Sequence, residues 1–208
     1  MLRTRRWPQA TRRHALGAWL GIGSVTLALV CAHFWPESLP RAQAQELPAI
    51  ACSGVATPSQ TEGPFFKPGS PERASLVDPD SSGTKLVVSG YVLTRNCQPI
   101  PGVRLDFWQA DGSGRYDNSG FRLRGQQVTD ESGRYQLETV VPGEYPGRTP
   151  HIHVKVQAPN QPILTTQLYF PGQARNTRDG IFDPSLLLSI QDGGDPVLAR
   201  FDFVLDQA

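Results

Sequence analysis

The chain is poor in the side chains that most often mark a metal or redox site. Of 208 residues four are histidine and three are cysteine, and only His151, His153, Cys52 and Cys97 lie beyond residue 44. The two remaining cysteines stand far apart and are not spaced like a zinc-binding pair. Charge of one sign is missing too: 20 Lys and Arg against 19 Asp and Glu leave a net charge of +1. Bulk composition therefore gives no reason to expect nucleic acid. No long segment repeats its apolar residues at helical spacing, and no internal repeat is visible. Those two absences exclude helical bundles and solenoids, and without crossover helices a parallel α/β sheet is excluded as well.

The first 44 residues are a different kind of sequence from the rest. They hold six Arg and one acidic residue, leaving 14 basic and 18 acidic residues, a net of −4, for the remainder. Thr11-Arg12-Arg13-His14 precedes an apolar stretch from Ala15 to Ala32, and Ala42-Gln43-Ala44 follows. This is the layout of an export signal, with paired arginines of the twin-arginine type. Cleavage after Ala44 or after Ala32 fits, and an uncleaved anchor is the alternative. Three glycines, Ser24 and Thr26 make the stretch weakly hydrophobic for a bilayer span. The expectation is an exported protein, periplasmic or extracellular, with no stable membrane insertion once the signal is removed. In an oxidising compartment Cys52 and Cys97 are expected to pair, which would contribute roughly 2–4 kcal/mol.

Residues 45–84 are rich in Pro, Ser, Thr and Gly and read as an extended arm held by Phe65, Phe66 and Cys52. From 85 the pattern alternates. Strands are predicted over Lys85–Thr94, 103–108, Arg134–Thr139, 151–156, Ile163–Phe170 and Ala199–Leu205, with turn chemistry at Gln98–Gly102 and Asp130–Gly133. Val103, Leu105 and Phe107 share one face, with Trp108 on the other. A short helix is expected over 183–190. The fold class is all-β: a single β-sandwich of mostly antiparallel short strands spanning 85–208, with at most one or two short helices.

The histidines are what the strand pattern makes interesting. His151 and His153 are two apart, so both leave one face with Cβ atoms ~7 Å apart, while Ile152, Val154 and Val156 point into the core. Tyr145, between two Pro-Gly pairs, sits on a loop at the mouth of the sheet, and Tyr116 ends the run Trp-Gln-Ala-Asp-Gly-Ser-Gly-Arg-Tyr. A phenol keeps its proton to pH ~10, so only a strongly Lewis-acidic ion makes it a ligand at neutral pH. Two phenolates, two neutral imidazoles and a hydroxide carry three negative charges. They neutralise Fe³⁺ and would overcharge Zn²⁺ or Cu²⁺. Arg148, three residues before His151, suits an anionic bound substrate, and its plain alternative is a surface salt bridge. Gln167 lies on the strand predicted beside the histidine strand, within reach of a substrate hydrogen bond.

Five segments in order carry a resemblance: 57–66, 108–116, 129–135, 142–153 and 166–172. Together they resemble the intradiol ring-cleavage dioxygenases, of the protocatechuate 3,4-dioxygenase-like, secreted stand-alone type. The resemblance implies a non-haem Fe³⁺ held by Tyr116, Tyr145, His151 and His153, with Arg148, Tyr145 and Gln167 as catalytic residues. It implies a catechol-type substrate and O₂ as partners. Tyr145 is then the phenolate that leaves and takes up a catechol proton, and the ring opens between its hydroxylated carbons to a muconate-type acid. The chain departs from the protocatechuate pattern at Gly147, where those enzymes carry an aromatic, so one pocket wall is expected to be missing. A homo-oligomer is compatible with the sequence. Two rivals stay open: a non-catalytic transthyretin-like or carboxypeptidase-regulatory-like binding sandwich, and a Zn²⁺ or Cu²⁺ protein that uses the histidines alone.

Overall fold

A computed structural model describes residue 50 and residues 52–207. The export signal expected over 1–44 lies outside the described residues. Among the described residues nine strands form: β1 (Lys85–Leu93), β2 (Arg104–Gln109), β3 (Arg124–Val128), β4 (Arg134–Val140), β5 (His151–Gln157), β6 (Leu164–Tyr169), β7 (Ser189–Asp192), β8 (Val197–Arg200) and β9 (Phe203–Val204). One sheet runs β4-β1-β8-β7, with β9 on the far half of β1, and the other runs β3-β2-β5-β6. The second sheet is antiparallel throughout, whereas β8 and β9 both lie parallel to β1.

Alternation builds the core between the sheets. Leu86, Val88 and Val92 from β1 meet Leu105 and Phe107 from β2 and Ile152, Val154 and Val156 from β5, all fully buried or nearly so. Each such side chain contributes on the order of 2 kcal/mol relative to exposure. The expected closing strand 199–205 is split. At Gly90 the Phe201 carbonyl oxygen lies where a Cβ would be, and Asp202 Oδ1 accepts the Tyr91 N–H at 3.0 Å. A side-chain carboxylate thus replaces one rung of the ladder, and the chain resumes as β9 on the second half of β1.

The short helix expected over 183–190 is corrected to one 3-10 turn, Pro184–Leu186, capped by Asp183, after which the chain becomes β7. Another 3-10 turn covers Asn176–Arg178. Strands β3 and β7 escape the hydrophobic pattern. β7 is exposed along its length, and β3 (Arg-Gly-Gln-Gln-Val) is polar because it binds the arm rather than the core.

The arm crosses the outer face of the β3-β2-β5-β6 sheet. Thr57 N–H bonds to Val204 O at 2.9 Å, Gln60 N–H to Thr165 O at 2.8 Å, and Arg73 N–H to Gln126 O at 3.0 Å. It ends with Leu76 inserted in the core. Gly125 in β3 is required here, since a Cβ would sit 2.6 Å from Leu76 Cδ2. Cys52 and Cys97 form a disulfide with Cα atoms 5.7 Å apart, tying the arm to the turn that follows β1. Residues on the outer face of β5 are thereby roofed over, and the histidines lie beneath that roof.

Candidate metal centre

Strand register sets the floor of the site. His153 faces Trp108 on β2 and Gln167 on β6, and His151 faces Tyr169. The two Nε2 atoms are 3.0 Å apart, and Tyr116 Oη is 3.4 Å from His151 Nε2. His151 Nδ1 lies 2.7 Å from the Thr149 carbonyl. A carbonyl only accepts, so Nδ1 carries the proton and the Nε2 lone pair points toward the centre. Among the described residues His153 Nδ1 is buried without a partner, and its ring stacks on Trp108 with centroids 4.8 Å apart and planes 6° from parallel.

Two glycine turns bring the tyrosines together. Asp111 Oδ1 accepts the N–H groups of Ser113 and Arg115 at 2.8 and 3.0 Å, which folds the 111–116 loop back on itself. Gly114, at φ +77°, presses on the Glu144 carbonyl where no Cβ fits, and Gly143 N–H bonds to Asp111 O at 2.9 Å. The 111–116 and 142–148 loops therefore interlock, with the Tyr116 and Tyr145 rings edge to face at 5.9 Å. The arm supplies Phe65, stacked on Tyr116 at 4.3 Å and edge-on to Tyr145 at 5.2 Å. Arg124, itself buried, holds that wall by donating to Phe65 O at 2.6 Å and to Asp117 O at 3.0–3.1 Å.

Burial dominates the electrostatics. It lowers the His151 pKa to about 4 and pushes His153 well below its usual value, so both imidazoles are neutral at pH 7. Burial also raises Tyr116, although Arg148 and Arg124 pull the other way. That phenol ionises only against a strong positive charge. Among the described residues no group of three or more His, Cys, Asp or Glu is placed to hold a metal. The oxygen the structure does bring beside the imidazoles is Tyr116 Oη.

Arg148 and Gln167 are both present and both engaged. Arg148 Nε donates to Asp179 Oδ2 at 2.8 Å and Oδ1 at 3.1 Å, and Nη2 donates to Gln167 Oε1 at 2.6 Å and Tyr169 Oη at 3.3 Å. Gln167 Nε2 donates to Thr61 O at 2.8 Å, so the arm holds this residue too. Asp179 also accepts the Thr149 N–H at 3.0 Å. Burial would raise its carboxyl, but the bonds from Thr149, Arg148 and Ile181 outweigh that and hold it below the ordinary value. One carboxylate thus fixes both Arg148 and the residue whose carbonyl orients His151.

The residues picked out along the chain, Tyr116, Tyr145, Arg148, His151, His153 and Gln167, all lie in this one region. Asp179, Tyr169 and Thr149 belong to it as well and escaped sequence reasoning. Tyr169 and Thr149 stand inside the motifs 166–172 and 142–153, but Asp179 has no local signal. Gly147 is exposed at φ +85°, and a Cβ there would meet nothing within 4 Å, so the rim beside Tyr145 is open, as expected for a missing wall.

Comparison with known proteins places the chain in a family. A family model described as Dioxygenase matches residues 61–206. A catechol 1,2-dioxygenase of Pseudomonas sp. (strain EST1001) is 26% identical over 203 residues, covering 85% of this chain and 66% of that protein. The dioxygenase domain of a dioxygenase carbohydrate-binding protein fusion from Streptomyces sp. SirexAA-E is 58% identical, with a TM-score of 0.72 over 74% of this chain and 100% of that one. The 3-chlorocatechol 1,2-dioxygenase of Rhodococcus opacus 1CP is 31% identical, with a TM-score of 0.68 over 73% of each chain. The chain spans 46–66% of the length of the catechol and hydroxyquinol 1,2-dioxygenases it matches. With the sandwich, the order of its motifs and the family model in agreement over this span, the chain belongs to the intradiol ring-cleavage dioxygenases.

Proposed function

We propose that the protein is a non-haem ferric intradiol dioxygenase. It inserts both atoms of O₂ into a catechol-type substrate and opens the ring between the two hydroxylated carbons to a muconate-type product. The observation that carries this reading is the convergence of three donors with the Tyr145 ring alongside: His151 Nε2 lies 3.0 Å from His153 Nε2 and 3.4 Å from Tyr116 Oη. Neutral imidazoles and a phenol that burial keeps from ionising, Tyr116, fit a trivalent ion, because only high charge offsets loss of a phenolic proton. When bound, Fe³⁺ held by Tyr116, Tyr145, His151 and His153 supplies Lewis acidity that withdraws electron density from the catechol ring.

The chain's own residues do the rest. Both tyrosines sit half-exposed on loops, but Tyr116 is stacked under Phe65 with its Oη 3.4 Å from His151 Nε2, whereas Tyr145 meets Phe65 only edge-on. That asymmetry makes Tyr145 the exchangeable phenolate, which takes up a catechol hydroxyl proton at its oxygen. Arg148 stabilises negative charge on the bound ring, with Gln167 and Asp179 holding its guanidinium. Phe65 and the arm keep water from the buried side of the site. Export through the twin-arginine-like segment 1–44 belongs to the same reading, since that route carries folded, metal-loaded protein.

The test is oxygen uptake by the iron-loaded full-length chain offered catechol, chlorocatechol, hydroxyquinol and protocatechuate. The expected result is a wine-red protein that consumes one O₂ per ring opened, with both atoms of ¹⁸O₂ in the product. A colourless protein, or no uptake with any diol, overturns the reading and returns the chain to a binding role. His153→Ala is expected to lose iron and turnover while staying folded.

A further inference from the structure

The two histidines are oriented by different means. The His151 ring is held by its Nδ1–H bond to the Thr149 carbonyl at 2.7 Å. A metal-binding imidazole almost always has such an acceptor behind it, because the bond fixes both tautomer and ring direction. His153 has none among the described residues: its Nδ1 is buried and unpartnered there. Something else must stop this ring from turning about its side-chain bonds.

Trp108 is the group in position to do so. It faces His153 directly across the β2–β5 ladder, and the two ring planes are 6° from parallel with centroids 4.8 Å apart. Among the described residues the indole N–H is itself buried without a partner, so Trp108 offers the site its flat face rather than a hydrogen bond. The indole is braced in turn by Phe66, edge-on at 4.9 Å, and Phe66 is capped by the Lys155 ammonium at 3.8 Å. On the Nε2 edge of His153 the arm presents Gly63 at φ +70°, where a Cβ would lie 3.4 Å from Cε1 and 3.8 Å from Nε2. The arm therefore leaves that edge room while Trp108 fixes the plane.

We propose that Trp108 is a positioning residue that sets the ring plane of His153, and with it the direction of the Nε2 lone pair, by stacking instead of the hydrogen bond that serves His151. This inference rests on the ferric reading above. Its structural consequence is that the arm, through Phe66, takes part in aligning a donor on β5.

The test compares Trp108→Phe, which keeps a flat face, with Trp108→Leu and Trp108→Met, which keep apolar bulk without one. Ferric iron affinity is measured on the full-length chain by competition with a chelator, and the visible charge-transfer band is recorded. Trp108→Leu and Trp108→Met are expected to bind iron about 10–100-fold more weakly, the loss usual when an orienting partner is removed, with a shifted band. Trp108→Phe should stay near the wild type, and Phe66→Leu should fall between. A folded Trp108→Leu or Trp108→Met that holds iron as tightly as Trp108→Phe overturns the proposal. If neither folds, unchanged affinity and band in Phe66→Leu overturn it. Failure of the wild type itself to take up iron would instead sink the ferric reading.

Discussion

Asp179 offers the sharpest test of how the site is held. Its carboxylate is almost fully buried, with 2% of the side chain exposed, against 20% for Arg148. It accepts Arg148 Nε with both oxygens and the N–H groups of Thr149 and Ile181 at 3.0 and 3.2 Å. Asp179→Asn keeps the shape and one acceptor oxygen but removes the charge and places an N–H₂ against donors. Hydrogen bonds to a charged group contribute ~1.5–3 kcal/mol, and breaking a buried pair costs ~3–5 kcal/mol. Because one acceptor survives, about 3 kcal/mol is the expected loss. For a unit of this size that is a fall of about 6–12 °C in melting temperature, read by circular dichroism on metal-free protein. A double-mutant cycle with Arg148→Met should show a coupling of at least ~1.5 kcal/mol. The depressed Asp179 pKa gives a further sign. Its contribution is present above the unfolded carboxylate pKa and is lost as the pH falls through the lower folded value. Strict additivity in the cycle, or a loss within ~0.5 kcal/mol as for ordinary surface changes, would refute the claim that Asp179 anchors Arg148.

Three other outcomes are expected. In metal-free protein, His151 alone should take about 3 kcal/mol off the stability as the pH drops from 6.5 to 4, because the unfolded chain protonates it while the folded chain, with its pKa at about 4, resists, and the depressed His153 adds to the fall; urea melts against pH should show a shallower slope in His151→Gln. Removing the Cys52–Cys97 bridge, which spans 45 residues, should cost about 4 kcal/mol; Cys52→Ser with Cys97→Ser measures this by thermal unfolding, and an unchanged melting temperature would argue against an arm tethered by the bridge. Tyr145→Phe should keep bound iron yet lose about 10²–10⁴-fold in turnover, the worth of a positioned proton acceptor, whereas Tyr116→Phe should weaken iron binding itself; parallel measurements of iron content and oxygen uptake separate the two.

Much of this was legible along the chain because strand geometry has a period of two. That period placed His151 and His153 on one face and Ile152, Val154 and Val156 on the other, as the buried core bears out. It failed at β3, whose Arg124 and Gln127 are buried but bonded to the arm's carbonyls at Phe65 and Ala74. A polar strand of this kind carries no hydrophobic alternation to detect. It failed again at 183–190, where Pro184 and the Asp183 cap support a single turn and no more.

Donor chemistry is a property of residue type, so the sequence alone determined which side chains suit a trivalent ion and which family the motifs resemble. Distance between loops is not. Only the tertiary structure interlocked the Gly114 and Gly143 turns so that the two tyrosines meet, laid Phe65 over Tyr116, and brought Asp179, 31 residues away in sequence, onto Arg148. Those contacts join segments with no local code for one another. They exist because the arm and the loops pack together over the outer face of β5.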